Sequence, residues 1–392
     1  GMRHIADTER RARLARRHAV APAHRVGDAD AATRAMTVLH ATEAATVYLS
    51  LLARVDGLTV VDVDRALYDD RTLVKQVAMR RTQFVFPRDL LAAAWGSASA
   101  RVAAGLGPRL AKEAVEAGLA DDGAVWLERA REATLTHLAG GVELTAAELR
   151  AQVPALAGHL TYSPDKPYGA TVPIAPRVLT QLGVEGRIVR AHNTASWWVS
   201  RPTWALAETW LGDVPTPWAA PEGYAELVRR WLATFGPGTA ADLQWWLGST
   251  KGAVSQALAD VSAVEVGLDG GGAGWVLPDD LDEVPAPEPW AALLPILDPT
   301  VMGWKERGFY LGEHGPALFD RNGNAGTTAW WDGRIVGCWV QDPDGVVEVR
   351  TLERVPGEAH RALDAETARL TEWLDGQRVS TVYPSPAMKE PR

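Results

Sequence analysis

Residues 224–277 read YAELVRRWLATFGPGTAADLQWWLGSTKGAVSQALADVSAVEVGLDGGGAGWVL. Three short helical segments run into an alternating stretch with a glycine-rich tip. Gly236 and Pro237 break the first helix, Thr239 is placed to cap a second starting near Ala240, and Gly248 supplies the turn after it. Ser249 or Thr250 can cap a third, recognition-type helix. Beyond it, apolar Val264, Val266 and Leu268 alternate with Glu265 and Gly267 until GGGAG turns the chain back toward Trp275 and Val276. Three helices followed by a hairpin describe a winged helix.

The same order can be read twice more upstream. LTAAELRAQVP (144–154) supplies a helix, APRVLTQLGVEGRIVRA (175–191) a helix running into a strand, and HNTASWWVSRPTW (192–204) closes a hairpin. Nearer the N-terminus come a helix from Arg10 to His18, a second from Ala29 to Leu39, a third after Thr42, and an extended region over residues 61–87. PAPEP (285–289) reads as a linker. After it the texture is β: TTAWW and RIVGCWVQ flank Asp332-Gly333, a strong two-residue hairpin signal, and VVEVRTL follows DPDG. The expected fold is mainly α with small β: winged helices over residues 1–115, 116–212 and 213–284, then an antiparallel β-barrel-like domain with a C-terminal helix over 285–392.

Composition narrows the function classes. With 392 residues, 47% hydrophobic and 23% charged, the chain can support several cores. Its single cysteine, Cys338, rules out an internal disulfide, and no cysteine cluster or His-Glu-x-x-His pattern accompanies the nine histidines, so neither metal nor cofactor is expected. The charged N-terminal stretch lacks a hydrophobic signal core, and no apolar run has membrane-spanning length. A cytoplasmic protein is expected, with no membrane partner and a monomeric state. Gly1 reads as a remnant of tag cleavage.

A net charge of −9 argues against nucleic-acid binding over the whole surface, but its distribution is uneven. Arg3, Arg10, Arg11, Arg13, Arg16, Arg17, Arg25 and Arg34 face only Asp7, Glu9, Asp28 and Asp30 in the first 34 residues. The plainer reading there is a solvated helix whose arginines pair with those acids. Arg54, Lys75, Arg80 and Arg81 in the first repeat, Arg187, Arg190, His192, Asn193 and Arg201 in the second, and Lys305, Arg307, Arg321 and Arg334 in the β region could line a basic face. The third repeat, with Asp269, Asp279 and Asp280 behind Lys251, Ser255 and Gln256, reads as structural. Trp197, Trp198, Trp304, Tyr310, Trp330 and Trp331 can stack on bases or fill cores.

The long segment at 293–347, with Asp298, Gly303, Trp304, Lys305, Arg307, Asn322, Gly323, Asn324 and Asp332-Gly333-Arg334, resembles the C-terminal β domain of the AlkZ/YcaQ-like winged-helix DNA glycosylases. MRRTQFVFPRDL (79–90) resembles an arginine-threonine segment of that family. The resemblance implies three tandem winged helices around a concave basic face, a β-barrel, and double-stranded DNA, alkylated or crosslinked, as substrate. It also implies a signature of glutamine, an apolar residue, then glutamine or aspartate just before a helix of the first domain. Here that place holds His40, Ala41 and Thr42, a departure from the signature.

The spacing has a physical reading of its own. Residues two apart on one continuous helix face opposite sides, so His40 and Thr42 can share a ligand only across a break. Asp28 can cap a helix reaching Leu39, and Thr42 can cap another starting at Glu43. In such a joint, neutral His40 could orient or deprotonate a water, Thr42 could hold it, and Glu43 could add negative charge if it turned back. The plainer reading makes His40 a half-buried histidine bonded to a nearby carbonyl, Thr42 a cap and Glu43 a dipole complement. Arg54, Arg80, Arg81, Arg187, Arg190, Lys305, Arg307, Arg321 and Arg334 are the expected DNA contacts; for Arg80 and Arg81 the alternative is an ion pair with Asp69 or Asp70. Asn322 and Asn324 are first of all turn residues. Two other functions stay open: a non-catalytic DNA-binding or regulatory protein, favoured by the lost glutamines, and a protein-interaction scaffold, favoured by the acidic balance.

Overall fold

The computed structural model describes residues 1–391. Within the opening stretch the helices are Ala220–Phe235, Ala240–Leu247 and Lys251–Asp260, followed by strands Val264–Leu268 and Ala273–Val276. Thr239 accepts from the Asp242 amide while Asp242 accepts from the Thr239 amide, each at 3.0 Å. This reciprocal cap satisfies two amides that a helix start otherwise leaves open. Gly248 ends that helix at φ 63°, and Thr250 caps the next through the Ala253 amide. The hairpin pairs Val264 with Val276 and Val266 with Gly274, and His4–Ile5 adds a third, parallel strand.

The middle repeat runs through Leu144–Thr145, Ala146–Gln152, Ala175–Val184, Ile188–Asn193 and Pro202–Leu206, with an extra hairpin, His159–Tyr162 and Ala170–Pro173, between its helices. Two long helices, Ala100–Glu116 and Gly123–His137, precede it and share its own apolar core around Leu149, Leu156, Val178 and Leu182. The N-terminal repeat contains Ala29–Met36, Ala44–Leu52 and a sheet in which Gln83–Pro87 lies between Leu39–His40 and Leu73–Val77. One continuous core joins this repeat to the third repeat and the β region, with Trp231, Trp246 and Trp330 fully enclosed in it.

The β region is a meander of Ala291–Leu294, Thr328–Trp331, Arg334–Gln341 and Val347–Thr351, and helix Gly357–Leu374 packs against it. Its edges do not pair with each other, so the expected barrel is an open sheet; covering the face with a helix buries it without closure. Asp332 and Gly333 take φ 47° and 87°, the left-handed pair that a two-residue hairpin requires. Helices take 46% and strands 18% of the chain, so the fold is mixed α/β where a mainly α chain was expected.

The basic N-terminal helix, Asp7–Arg17, is self-paired in part, through Glu9, but is not a freely solvated helix. Arg13 bonds Glu9 at 3.0 Å and Asp280 at 2.8 Å, Arg17 also takes Asp280, and Arg10 lies 3.9 Å over the Phe309 ring. These contacts fasten the helix to the segment after the third wing and to the β region. No helix of the described residues is long and apolar enough to cross a membrane, and among them no cluster of three or more His, Cys, Asp or Glu could hold a metal ion.

Candidate active site and nucleic-acid interface

The helix capped by Asp28 stops at Met36, three residues short of the expected end, because Thr37 turns left-handed at φ 72°. Leu39 and His40 then leave helical geometry to pair with Val85 and Phe84. The next helix starts at Ala44, with Glu43 rather than Thr42 in the capping position and no side-chain cap bond. The chain therefore breaks between the two helices, as a ligand shared by His40 and Thr42 requires.

The three residues of this joint go different ways. His40 is 3% exposed, its ring 4.9 Å from that of Phe84, and among the described residues its imidazole has no hydrogen-bond partner. The plainer expectation of a bond to a neighbouring carbonyl is thereby corrected. Burial lowers its pKa well below the ordinary histidine value, and the charges of Arg80 and Arg307 lower it further, so the ring is neutral at pH 7. Thr42 is solvent-exposed on the bend. Glu43 does not turn back: it accepts from the Thr381 hydroxyl, and burial raises its pKa. It lines a cavity of about 220 Å³ between its own helix, the β sheet and the C-terminal segment.

Arg80 and Arg307 converge on one indole. The Arg80 guanidinium lies 4.1 Å from the Trp245 ring centroid, and that of Arg307 lies 5.0 Å from it and 4.7 Å from Phe319. Arg80 sits in the tight turn Met79–Arg81, where Arg80 and Arg81 take φ 57° and 60°, unusual for residues with a Cβ. The alternative pairing of these arginines with Asp69 or Asp70 does not form. Exposed Arg81 joins Arg80, Arg101 and Arg109 along a groove of about 340 Å³ that ends at Leu247 and Gly248.

The other expected contacts are scattered. Arg54 is fully enclosed, bonded twice to Asp298 and also to Thr300, Ser50 and His18, and offers no atom to a ligand surface; this corrects its reading as a DNA contact. Arg190 is half-buried over Trp204 at 5.4 Å, while Arg187 is exposed. Burial, then the charge of Arg190, pushes Lys75 down to about 8, and its ammonium donates to the Tyr68 hydroxyl at 2.9 Å. Lys305 and Arg321 are exposed, and Arg334 is tied to Glu353 at 2.9 Å. Asn322 and Asn324 are turn residues whose amides bond Asp320.

Trp245, Arg101 and Arg109 were missed by sequence reasoning. The signal for Trp245 was its neighbour: successive residues on a helix point about 100° apart, so with Trp246 buried the adjacent indole must face elsewhere.

Residues 33–373 match the family described as DNA glycosylase AlkZ-like. The chain belongs to the AlkZ-like DNA glycosylase family. Its fold is similar to that of the Streptomyces sahachiroi DNA glycosylase AlkZ, with a TM-score of 0.71 at 19% identity, over 93% of this chain and 96% of that one. No curated protein sequence matches the chain.

Proposed function

We propose that this chain is a monofunctional DNA glycosylase that hydrolyses the N-glycosidic bond of alkylated purines in double-stranded DNA, bulky or crosslinked adducts included. The observation that carries the reading is the neutral, unpartnered imidazole of His40 in a helix break beside two cationic side chains. A purine alkylated at N7 or N3 is already a cationic leaving group, so departure needs little acid help. What it needs is an aligned water and a counter to the positive charge developing on the sugar.

In this scheme the water oxygen bonds to C1′ of the sugar. The glycosidic electron pair leaves with the base and neutralises it, and the water proton passes to His40, then to solvent. Thr42, exposed on the bend, can hold the water from its outer side. Glu43 is engaged with Thr381, so the negative charge facing the sugar comes from the DNA phosphates that Arg80, Arg81 and Arg307 gather. Arg187, Arg190, Lys305, Arg321 and Arg334 are assigned to more distant stretches of the duplex. No cofactor enters the scheme.

The test is incubation with duplex DNA carrying N7-alkylguanine, followed by alkali to reveal abasic sites, with His40→Ala in parallel. The small exposure of His40 and the withdrawal of Glu43 favour a second reading, a DNA-binding protein without catalysis. That reading predicts salt-dependent binding and no base release on any adduct.

A further inference from the structure

We infer that Arg80, Trp245 and Arg307 form a clamp for a single DNA backbone phosphate, set at the end of the basic groove and beside His40. The inference deepens the glycosylase reading by naming the group that registers the substrate, and it rests on that reading only for the substrate's identity. Three parts of the chain meet here: the turn after Leu73–Val77, the helix Ala240–Leu247 and the start of the β region.

Two guanidinium groups share one indole, and among the described residues no carboxylate forms a salt bridge with either. Several other buried or half-buried arginines have carboxylate partners: Arg13 has Glu9 and Asp280, Arg25 has Asp56 and Glu366, and Arg230 has Asp89 and Glu226; Arg10 over Phe309 and Arg190 over Trp204 form no ion pair among the described residues, but each stands alone on its ring. In the clamp, Arg80 Nε and Nη2 and Arg307 Nε are closed off from solvent with no partner. Each mutual approach of like charges and each orphaned donor costs stability, and an anion bound by both guanidinium groups would offset that cost. Burial, then the charge of Arg307, pushes Arg80 down to about 10, the mark of a cation lacking a counter-ion, though it stays protonated at pH 7. The backbone has been shaped to put Arg80 there: a side chain at Gly248 would meet the Arg80 amide nitrogen at 2.9 Å, so the helix end must be bare for the left-handed turn to dock.

A planar guanidinium pair suits two oxygens of one tetrahedral anion, and an aromatic plate holds the forks in place without competing for the ligand. The outer side of Arg80 opens on the groove lined by Arg81, Arg101 and Arg109, which follows a polyanion rather than a free small ion. A DNA backbone phosphate is therefore the occupant, with inorganic phosphate as the alternative source of the same chemistry.

The experiment uses the whole protein, undamaged duplex and a scan in which single phosphates are replaced by uncharged methylphosphonate. Wild type is expected to lose about tenfold in affinity at one position, and Arg80→Gln and Arg307→Gln are each expected to lose about as much on ordinary duplex. At that one position the variants should show no further loss, and the slope of log affinity against log salt should be shallower by about one for each variant. Arg80→Gln should also melt at an equal or higher temperature, since it removes an unneutralised cation. A structural role for Arg80 would give the opposite pair of results, a lower melting temperature with an unchanged salt slope, and would overturn the clamp. Inorganic phosphate at millimolar concentration that protects wild type against heat but leaves DNA binding undiminished would overturn the backbone-phosphate assignment. Base release by wild type together with uncoupled variants sinks the clamp and leaves the glycosylase reading standing; a coupled position without base release does the reverse.

Discussion

The Arg54 guanidinium meets the Asp298 carboxylate in two contacts of 2.8 Å, with both side chains fully shut off from solvent. Arg54 follows the helix behind the His40 joint, and Asp298 follows the first strand of the β region, so this pair fixes the joint relative to the segment that carries Arg307. Removing one partner leaves a buried charge uncompensated. Asp298→Ala is expected to cost about 3–5 kcal/mol, read by chemical denaturation. A loss below about 1 kcal/mol would contradict this role.

Asp242 makes a second such tie. Its carboxylate accepts from the Thr239 amide at 3.0 Å and from the Lys305 and Glu306 amides at 2.9 and 2.8 Å, while fully buried. Asp242→Ala orphans three amide donors and frees the strand of chain leading to Arg307. We expect a stability loss of about 3 kcal/mol or more and weakened DNA binding, with Thr239→Ala costing only about 1 kcal/mol. Equal effects of the two substitutions in denaturation and binding assays would refute the tie.

The pH dependence of stability follows from two buried histidines. His40 and His18 both have folded pKa values held well below the ordinary value of 6.5, chiefly by burial. Above 6.5 both are neutral in the folded and unfolded chains and contribute no slope. As pH falls below 6.5 the unfolded chain takes up protons that the folded chain refuses, so stability is lost. Melting temperature should drop between pH 7 and pH 5, and His40→Gln should remove part of the drop while His18 retains the rest. An unchanged drop in His40→Gln would show that the imidazole titrates normally in the fold.

Glu43 and Thr42 separate the joint into structural and chemical halves. With its carboxyl bonded to Thr381, Glu43→Gln is expected to keep base release within about threefold of wild type and to cost about 1 kcal/mol of stability. Thr42→Ala, at an exposed position, should leave stability unchanged and slow release by a modest factor. Single-turnover rates on N7-alkylguanine duplex distinguish the two; a large rate loss in Glu43→Gln would return the carboxylate to the chemistry.

Local signals were the legible ones. Thr239, Gly248, Thr250 and the Gly-rich tip each act within a few residues, and the third repeat folds as those residues dictate. The Asp332-Gly333 turn was readable for the same reason. Long-range pairing decided the rest. The helix from Asp28 ends early because the next residues pair with Phe84 and Val85, and the β sheet stays open because its edge strands find no partner. Arg54 is basic in sequence, yet its charge is spent on a carboxylate far along the chain. At the candidate site, His40, Arg80 and Arg307 were each marked in sequence, but nothing local signals that they meet, nor that both arginines lie over the Trp245 ring.

The measurement closest to the central claim is base release from N7-alkylguanine duplex by wild type and His40→Ala at equal folded concentration, scored as alkali-labile sites over time. Neutral His40 as the water-activating base predicts release by wild type and a rate at least about 100-fold lower in the variant, with DNA affinity unchanged. Wild-type release that His40→Ala matches, or no release from any alkylated duplex that the protein binds, would contradict it.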